Sequence, residues 1–266
     1  MNIKHYLNAY RSEILKIRFM QWAVVLFFLG LALIFLSFLF YTLVLKFFTD
    51  SAYSLENHNT LMGIHSFYFR FAFILGTSIF VSYQFGKEFE WRTMHQFMIK
   101  GLRAEVMIPA KYLANLTLLF AQYIVLTFLT IIIYLFFSPE SFADTFAAIE
   151  WIEILILPLG FILALSISVF SVSMTFSSST GLILNLMYFL VIEGVLKIIF
   201  YAVASILKNP ELGKIGAYLP FTLFLNLNAD SDQFFIHCAL VVVYTLTFLM
   251  LSVFRLRTKE MALVRT

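Results

Sequence analysis

The run WAVVLFFLGLALIFLSFLFYTLVL, Trp22 to Leu45, carries no charge over more than the roughly 20 residues that a helix needs to cross the hydrocarbon core of a bilayer. Five further runs have the same character: Ile64–Phe85 with Arg70 near one end, Tyr112–Phe137, Trp151–Phe176, Leu182–Leu207 and Phe234–Phe254. The chain as a whole is 62% apolar and 12% charged, against about 45–50% and about 25% in a typical soluble domain. One water-soluble core cannot hide that excess, so bilayer is the expected solvent. The runs are long and continuous, without the alternation over about 10 residues that a membrane barrel requires. The expectation is an all-α membrane protein, a single transmembrane domain over residues 1–266 with six transmembrane helices. The polar first 20 residues and the length of the first run argue against a cleavable leader.

The segments between the runs divide by charge. Lys4, Arg11, Lys16 and Arg18 precede the first run, Lys87, Arg92, Lys100, Arg103 and Lys111 lie between the second and third, and Arg255, Arg257, Lys259 and Arg265 follow the last. Six crossings place these segments, with the short link Ser177–Thr180, on one side. The other side receives Asp50, Glu56, Glu140, Asp144, Glu150, Glu211, Asp230 and Asp232 with few bases. The excess of Lys and Arg then puts both termini in the cytoplasm. The net charge of +3 is small, and no nucleic-acid partner is expected.

Chemistry-bearing patterns are scarce. There is no G-x-x-x-x-G-K-[ST] phosphate loop, no H-E-x-x-H and no G-x-S-x-G. His5, His58, His65, His95 and His237 lack metal-ligand spacing, and Cys238, the single cysteine, sits in an apolar run. No catalytic residue, cofactor or metal is expected on this chain, so any energy-consuming work would use fuel handled elsewhere. Glu193 and Lys197 fall inside the fifth run, four residues apart and therefore on one helix face. A charge at the centre of a bilayer costs about 2.5–3.5 kcal/mol or more on insertion scales, so the two are expected to pair or to face the protein, as a structural ion pair or as a polar lining. Arg70 and Glu153 lie near helix ends, from which they can snorkel. Ser166, Ser173 and Ser177 share one face of the fourth run, and Ser168, Ser171 and Thr175 another, as suits close helix packing.

Three segments outside the runs are distinctive. Residues 1–20 are amphipathic, with Tyr6, Tyr10, Ile14 and Ile17 at helical spacing, and read as a helix lying in the membrane interface. GAYLPFTLFLNL, Gly216 to Leu227, is too short to span and reads as a re-entrant or interfacial piece broken by Pro220. FGKEFEWRTMHQFMIKGLRAEVMIPAKYLAN, Phe85 to Asn115, is charged but interleaved with Trp91, Met94, Phe97, Met98 and Ile99. Bulky apolar groups in such a loop suggest a short amphipathic helix, ended at Gly101, that offers a docking surface.

That loop, read as Glu88, Phe89, Arg92, Thr93, Gln96, Gly101, Arg103 and then Lys111–Tyr112–Leu113, resembles the loop between spans two and three of type-2 ATP-binding-cassette (ABC) exporter permeases. SEILKIRF, Ser12 to Phe19, is similar to the entry segment of the same family. The resemblance implies a subunit of the bacterial cytoplasmic (inner) membrane, without an ATPase site, that moves a lipidic, drug-like or amphipathic peptide substrate outward. It implies a second permease chain, identical or related, and two ABC ATPase subunits that hold ATP and Mg. It further implies that Glu88, Phe89, Trp91, Arg92, Thr93, Gln96, Gly101 and Arg103 form the coupling helix seated on the ATPase. From the residues alone, a non-transporting membrane sensor or assembly scaffold stands beside it, and a membrane-embedded enzyme lacks any paired acid, base or metal cluster.

Overall fold

The computed structural model describes residues 3–18, 30, 32, 66, 68–91, 93, 94, 96, 103–137, 146, 149, 151–225 and 233–264. All regular structure among them is helical. Helix α1 is Ile3–Arg18, and α2, Phe73–Glu90, is entered through a π turn at Tyr68–Ala72. Helix α3 is Ala104–Phe137 and α4 is Trp151–Thr175. Helix α5, Ser178–Met187, runs through a second π turn, Tyr188–Ile192, into α6, Glu193–Ile206. The short α7 (Pro210–Lys214), a 3-10 turn (Ile215–Tyr218) and α8 (Pro220–Leu225) lead to α9, Phe234–Val264.

Among the described residues, four helical stretches are long and apolar enough to cross a membrane: Ala104–Ile133, Trp151–Thr175, Ser178–Ile206 and Phe234–Thr258. They correspond to the expected third to sixth runs. The expected first run, 22–45, lies outside the described residues apart from 30 and 32. The second appears as the helical stretch from Tyr68 to Glu90, which carries charge at both ends. Helix α2 continues to Glu90 and α3 already begins at Ala104, so both ends of the expected loop Phe85–Lys111 are helical, as are Thr93, Met94 and Gln96 between them. The reason is local. Counting apolar residues ends a span where polar residues begin, but Lys and Glu are good helix formers, and the Lys87–Glu90 pair at 2.8 Å closes one further turn. For the same reason α9 outruns the expected end at Phe254.

Helix α4 is the hub. Within its most apolar stretch 67% of residues are buried inside the protein, against 28% for the α3 stretch and 17% for both α5–α6 and α9. It packs on α2, α3, α5 and α9. Pro158 removes the backbone bond to the carbonyl of Ile154, and the hydroxyl of Tyr123 on α3 donates to that freed oxygen at 2.5 Å. Phe69, Phe73, Tyr123 and Phe161 close around the same level with edge-to-face and tilted ring contacts at 4.7–6.0 Å. The serines of α4 behave as packing residues. Ser166, Ser168, Ser171 and Ser173 are buried and return their hydroxyls to carbonyls one turn back.

Four contacts bring the basic segments to one end of the bundle, called here the base. Glu13 of α1 meets Lys111 of α3, Glu90 of α2 meets Ser178 of α5, Arg257 of α9 meets Glu105 of α3, and Arg255 lies over Phe176. Helices α2, α4 and α9 therefore end at the base, while α3 and α5 begin there. Gly86 permits the closest approach, since a Cβ on it would fall 2.2 Å from Cα of Ser178.

At the far end, Gly160 of α4 receives the ring of Phe224 from α8, and a Cβ there would lie 2.1 Å from the ring. Phe224 is fully buried and cannot swing away into solvent. Gly160→Ala is therefore expected to destabilise by about 1–3 kcal/mol through overpacking, read as a lowered thermal midpoint in detergent, and Phe224→Leu in the same chain should recover part of it.

Candidate functional site

The base is organised by a closed ring of four charges. Glu13 Oε1 and Oε2 reach Lys16 Nζ at 2.8 Å and Lys111 Nζ at 2.6 Å. Glu88 Oε1 and Oε2 reach the same two ammonium groups at 3.3 and 2.6 Å. Each carboxylate thus bridges both lysines, and the ring is neutral. Neutrality matters because the Lys111 side chain is only 3% exposed and that of Glu13 only 7%, where an uncompensated charge would be costly. Lys111 also stands 5.5 Å from the ring of Phe85. The ring fixes α1 to the end of α2 and the start of α3, and Tyr10 adds a bond to Thr117 at 2.9 Å. Burial works hardest against ionisation of Glu13, but Lys111 and Lys16 together outweigh it and hold the carboxyl below its ordinary value. For Lys16 the desolvation is outweighed by Glu88 and Glu13, which raise its pKa.

Two residues on from Glu88, Glu90 joins α2 to α5. Its Oε1 accepts the backbone N–H of Ser178 at 2.8 Å and the Ser178 hydroxyl at 2.6 Å, while Oε2 pairs with Lys87. This carboxylate caps the first turn of α5, which Ser177 leaves without a cap of its own. Lys87 and then Ser178 pull the Glu90 carboxyl down to about 2. The turn above it is unusual. Phe176 has φ +55°, a region costly for a non-glycine residue, and its ring is held by Phe89 at 5.1 Å and Arg255 at 5.6 Å.

The residues expected to form a coupling helix therefore separate into two groups. Glu88 belongs to the buried ring, Phe89 packs on Phe85 and Phe176, and Thr93 donates to the Glu88 carbonyl at 3.0 Å. These brace the base from inside. Trp91 is 67% exposed, and Gln96 and Arg103 are exposed as well. Arg92 and Gly101 lie outside the described residues.

Glu193 and Lys197 do share a face, but they form no ion pair with each other. Glu193 is buried and turns both oxygens to the N-terminus of α8, accepting the N–H of Phe221 at 2.7 Å, the N–H of Thr222 at 2.9 Å and the Thr222 hydroxyl at 3.1 Å. Lys197 instead lays its stem against Gly216. The backbone N–H groups freed by the start of α8 outcompete a flexible ammonium because they are fixed in place and otherwise unsatisfied. At the other end of α8, Arg70 donates to the Leu225 carbonyl at 2.6 Å and pairs with Glu153 at 3.1 Å. Arg70 and Glu153 thus meet each other, where snorkelling was expected. Each π turn adjoins the charge it aims, Arg70 within one and Glu193 directly after the other.

Glu13, Glu90, Ser178 and Asn185 were not legible as site residues. Glu13 left a signal, a carboxylate in the stripe of Tyr6, Tyr10, Ile14 and Ile17. Asn185, fully buried and donating to Ser168 at 2.7 Å, had one too as a lone amide in an apolar run. His237 is buried edge-to-face on Tyr218. No family model, curated protein or solved structure matches the chain.

Lys111→Met leaves the buried Glu13 and the partly buried Glu88 with one lysine. It is expected to cost about 3 kcal/mol, measured by denaturant unfolding in detergent, and the cost of Glu13→Gln with Lys111→Met should fall well short of the sum of the single changes. The pH response follows from the lowered carboxyls. The Glu90 cap is complete above its ordinary pKa of 4.5 and is lost as pH falls toward about 2. The thermal midpoint should fall over that window, less steeply in Glu90→Gln.

Proposed function

We propose that this chain is the membrane-spanning permease subunit of an ABC exporter. It crosses the bacterial cytoplasmic membrane six times with both termini inside, pairs with a second permease chain, identical or related, and takes its energy from two ATPase subunits that bind ATP and Mg. Its cargo is lipidic, drug-like or an amphipathic peptide. The observation that carries this reading is the ring Glu13–Lys16–Glu88–Lys111. The segments on which the family resemblance rests, Ser12–Phe19, the loop opening at Glu88 and Lys111–Leu113, meet in that one buried network.

The arrangement suits force transmission. Trp91, Gln96 and Arg103 offer exposed surface beside the base. Directly behind them Phe89, Thr93 and Glu88 are tied into α1, α2 and α3, and Glu90 ties α2 to α5. A push on residues 91–103 from a closing ATPase dimer would be delivered to four helices together. In free-energy terms the partner biases an equilibrium between inward-open and outward-open packings of the helices. The exposed tryptophan is the kind of residue that anchors such a contact.

Trp91→Ala with Arg92→Glu is expected to reduce co-purification of an ATPase subunit at least about tenfold while membrane insertion stays normal. Undiminished co-purification, or labelling of residues 91–103 by an impermeant reagent from outside intact cells, would overturn the reading.

A further inference from the structure

A cavity of about 430 Å³ opens where α6 meets α7, lined by Tyr201, Ser205, Lys208, Pro210 and Lys214 among others. We propose that it seats the phosphate headgroup of an anionic phospholipid in the leaflet opposite the Glu13–Lys111 ring. This goes beyond the exporter reading and does not rest on it. It requires only that the helix Ser178–Ile206 crosses the bilayer.

Position is the first argument. The 29-residue stretch Ser178–Ile206 starts under Glu90 at the base and, at 1.5 Å per residue, extends ~43 Å, so its end lies at the far membrane–water boundary. The neighbouring side chains are apolar and open. Ile206 is 78% exposed, Tyr201 65% and Leu207 62%, a surface against which acyl chains can lie while the headgroup enters the cavity.

Charge is the second. Lys214 is paired with Glu211 at 2.6 Å. Lys208 has no ion pair among the described residues, so the cavity carries one uncompensated positive charge. The hydroxyls of Tyr201 and Ser205, both exposed, add donors that a phosphate can use.

The backbone points the same way. Lys208 N–H bonds to the Ser205 carbonyl and Asn209 N–H to the Ala204 carbonyl, the pattern in which a helix ends on a left-handed residue that is usually glycine. Here the residue with φ +50° is Lys208. A glycine would sit there with less strain, so the position retains a side chain at a conformational cost. Gly213 forms one wall of this open pocket by bringing α7 against Tyr201, where an added Cβ would lie 3.3 Å from the ring.

The test uses the purified full-length chain in neutral detergent. Retention of phosphatidylglycerol and of phosphatidylcholine is read by native mass spectrometry, with inorganic phosphate as a competing arm. Wild type should retain one phosphatidylglycerol in preference to phosphatidylcholine. Lys208→Gly removes the ammonium while relaxing the backbone, so it should keep its thermal midpoint yet lower that preference about fivefold. Glu211→Gln frees Lys214 and should raise it. Equal retention of the two lipids, or a preference untouched by both variants, would overturn the proposal. Phosphate displacing the lipid at low millimolar concentration would overturn it in favour of a soluble phosphate ligand.

Discussion

An ion in an apolar interior must find its counter-group within the protein, and the described helices obey that constraint by borrowing the counter-group from another segment. Glu13 and Glu88 reach Lys111, Glu193 reaches the N–H groups of Phe221 and Thr222, and Arg70 reaches Glu153 and Leu225. Each pairing joins parts of the chain distant in sequence. Polar groups too costly to leave alone thereby set which helices are neighbours and in what register. Apolar packing against α4 then fills the space between them, without being selective enough to choose that register itself.

Two levels of the bundle use this device differently. At the base the partners are ionised on both sides, and the ring closes on itself with no net charge. Further from the base a charged side chain meets mostly backbone. The carboxylate of Glu193 meets the N-terminus of α8, and the guanidinium of Arg70 its C-terminus, which complements the dipole of that short helix from both directions. The base is thus a joint between whole helices, while the second level pins a returning segment too short to hold itself in helical form.

Much of the fold was legible because apolar run length is a one-dimensional signal. Trp151–Thr175 as a span, a break at Pro220 and the amphipathic α1 could all be read from local pattern, whereas the short helix that Pro220 starts could not. The site was less legible because partner choice is a three-dimensional fact. The spacing of Glu193 and Lys197 correctly placed both on one face, yet could not reveal that Phe221 and Thr222 would arrive there first. Glu88 reads as a loop residue by composition, but Lys111 and Lys16 draw it inward. Glu90 and Ser178, some 90 residues apart, carry no joint signature in a single sequence.

The unbroken passage from α5 through its π turn into α6 gives the molecule a rod held at its lower tip and near its middle. Its lower tip is clasped by Glu90, and partway along it Glu193 holds the returning segment. Pivoting such a rod by about 5° sweeps its upper tip sideways by about 4 Å over a length of ~43 Å. A small rotation imposed at the base would therefore be magnified along the rod and carry α7 and α8 along with it.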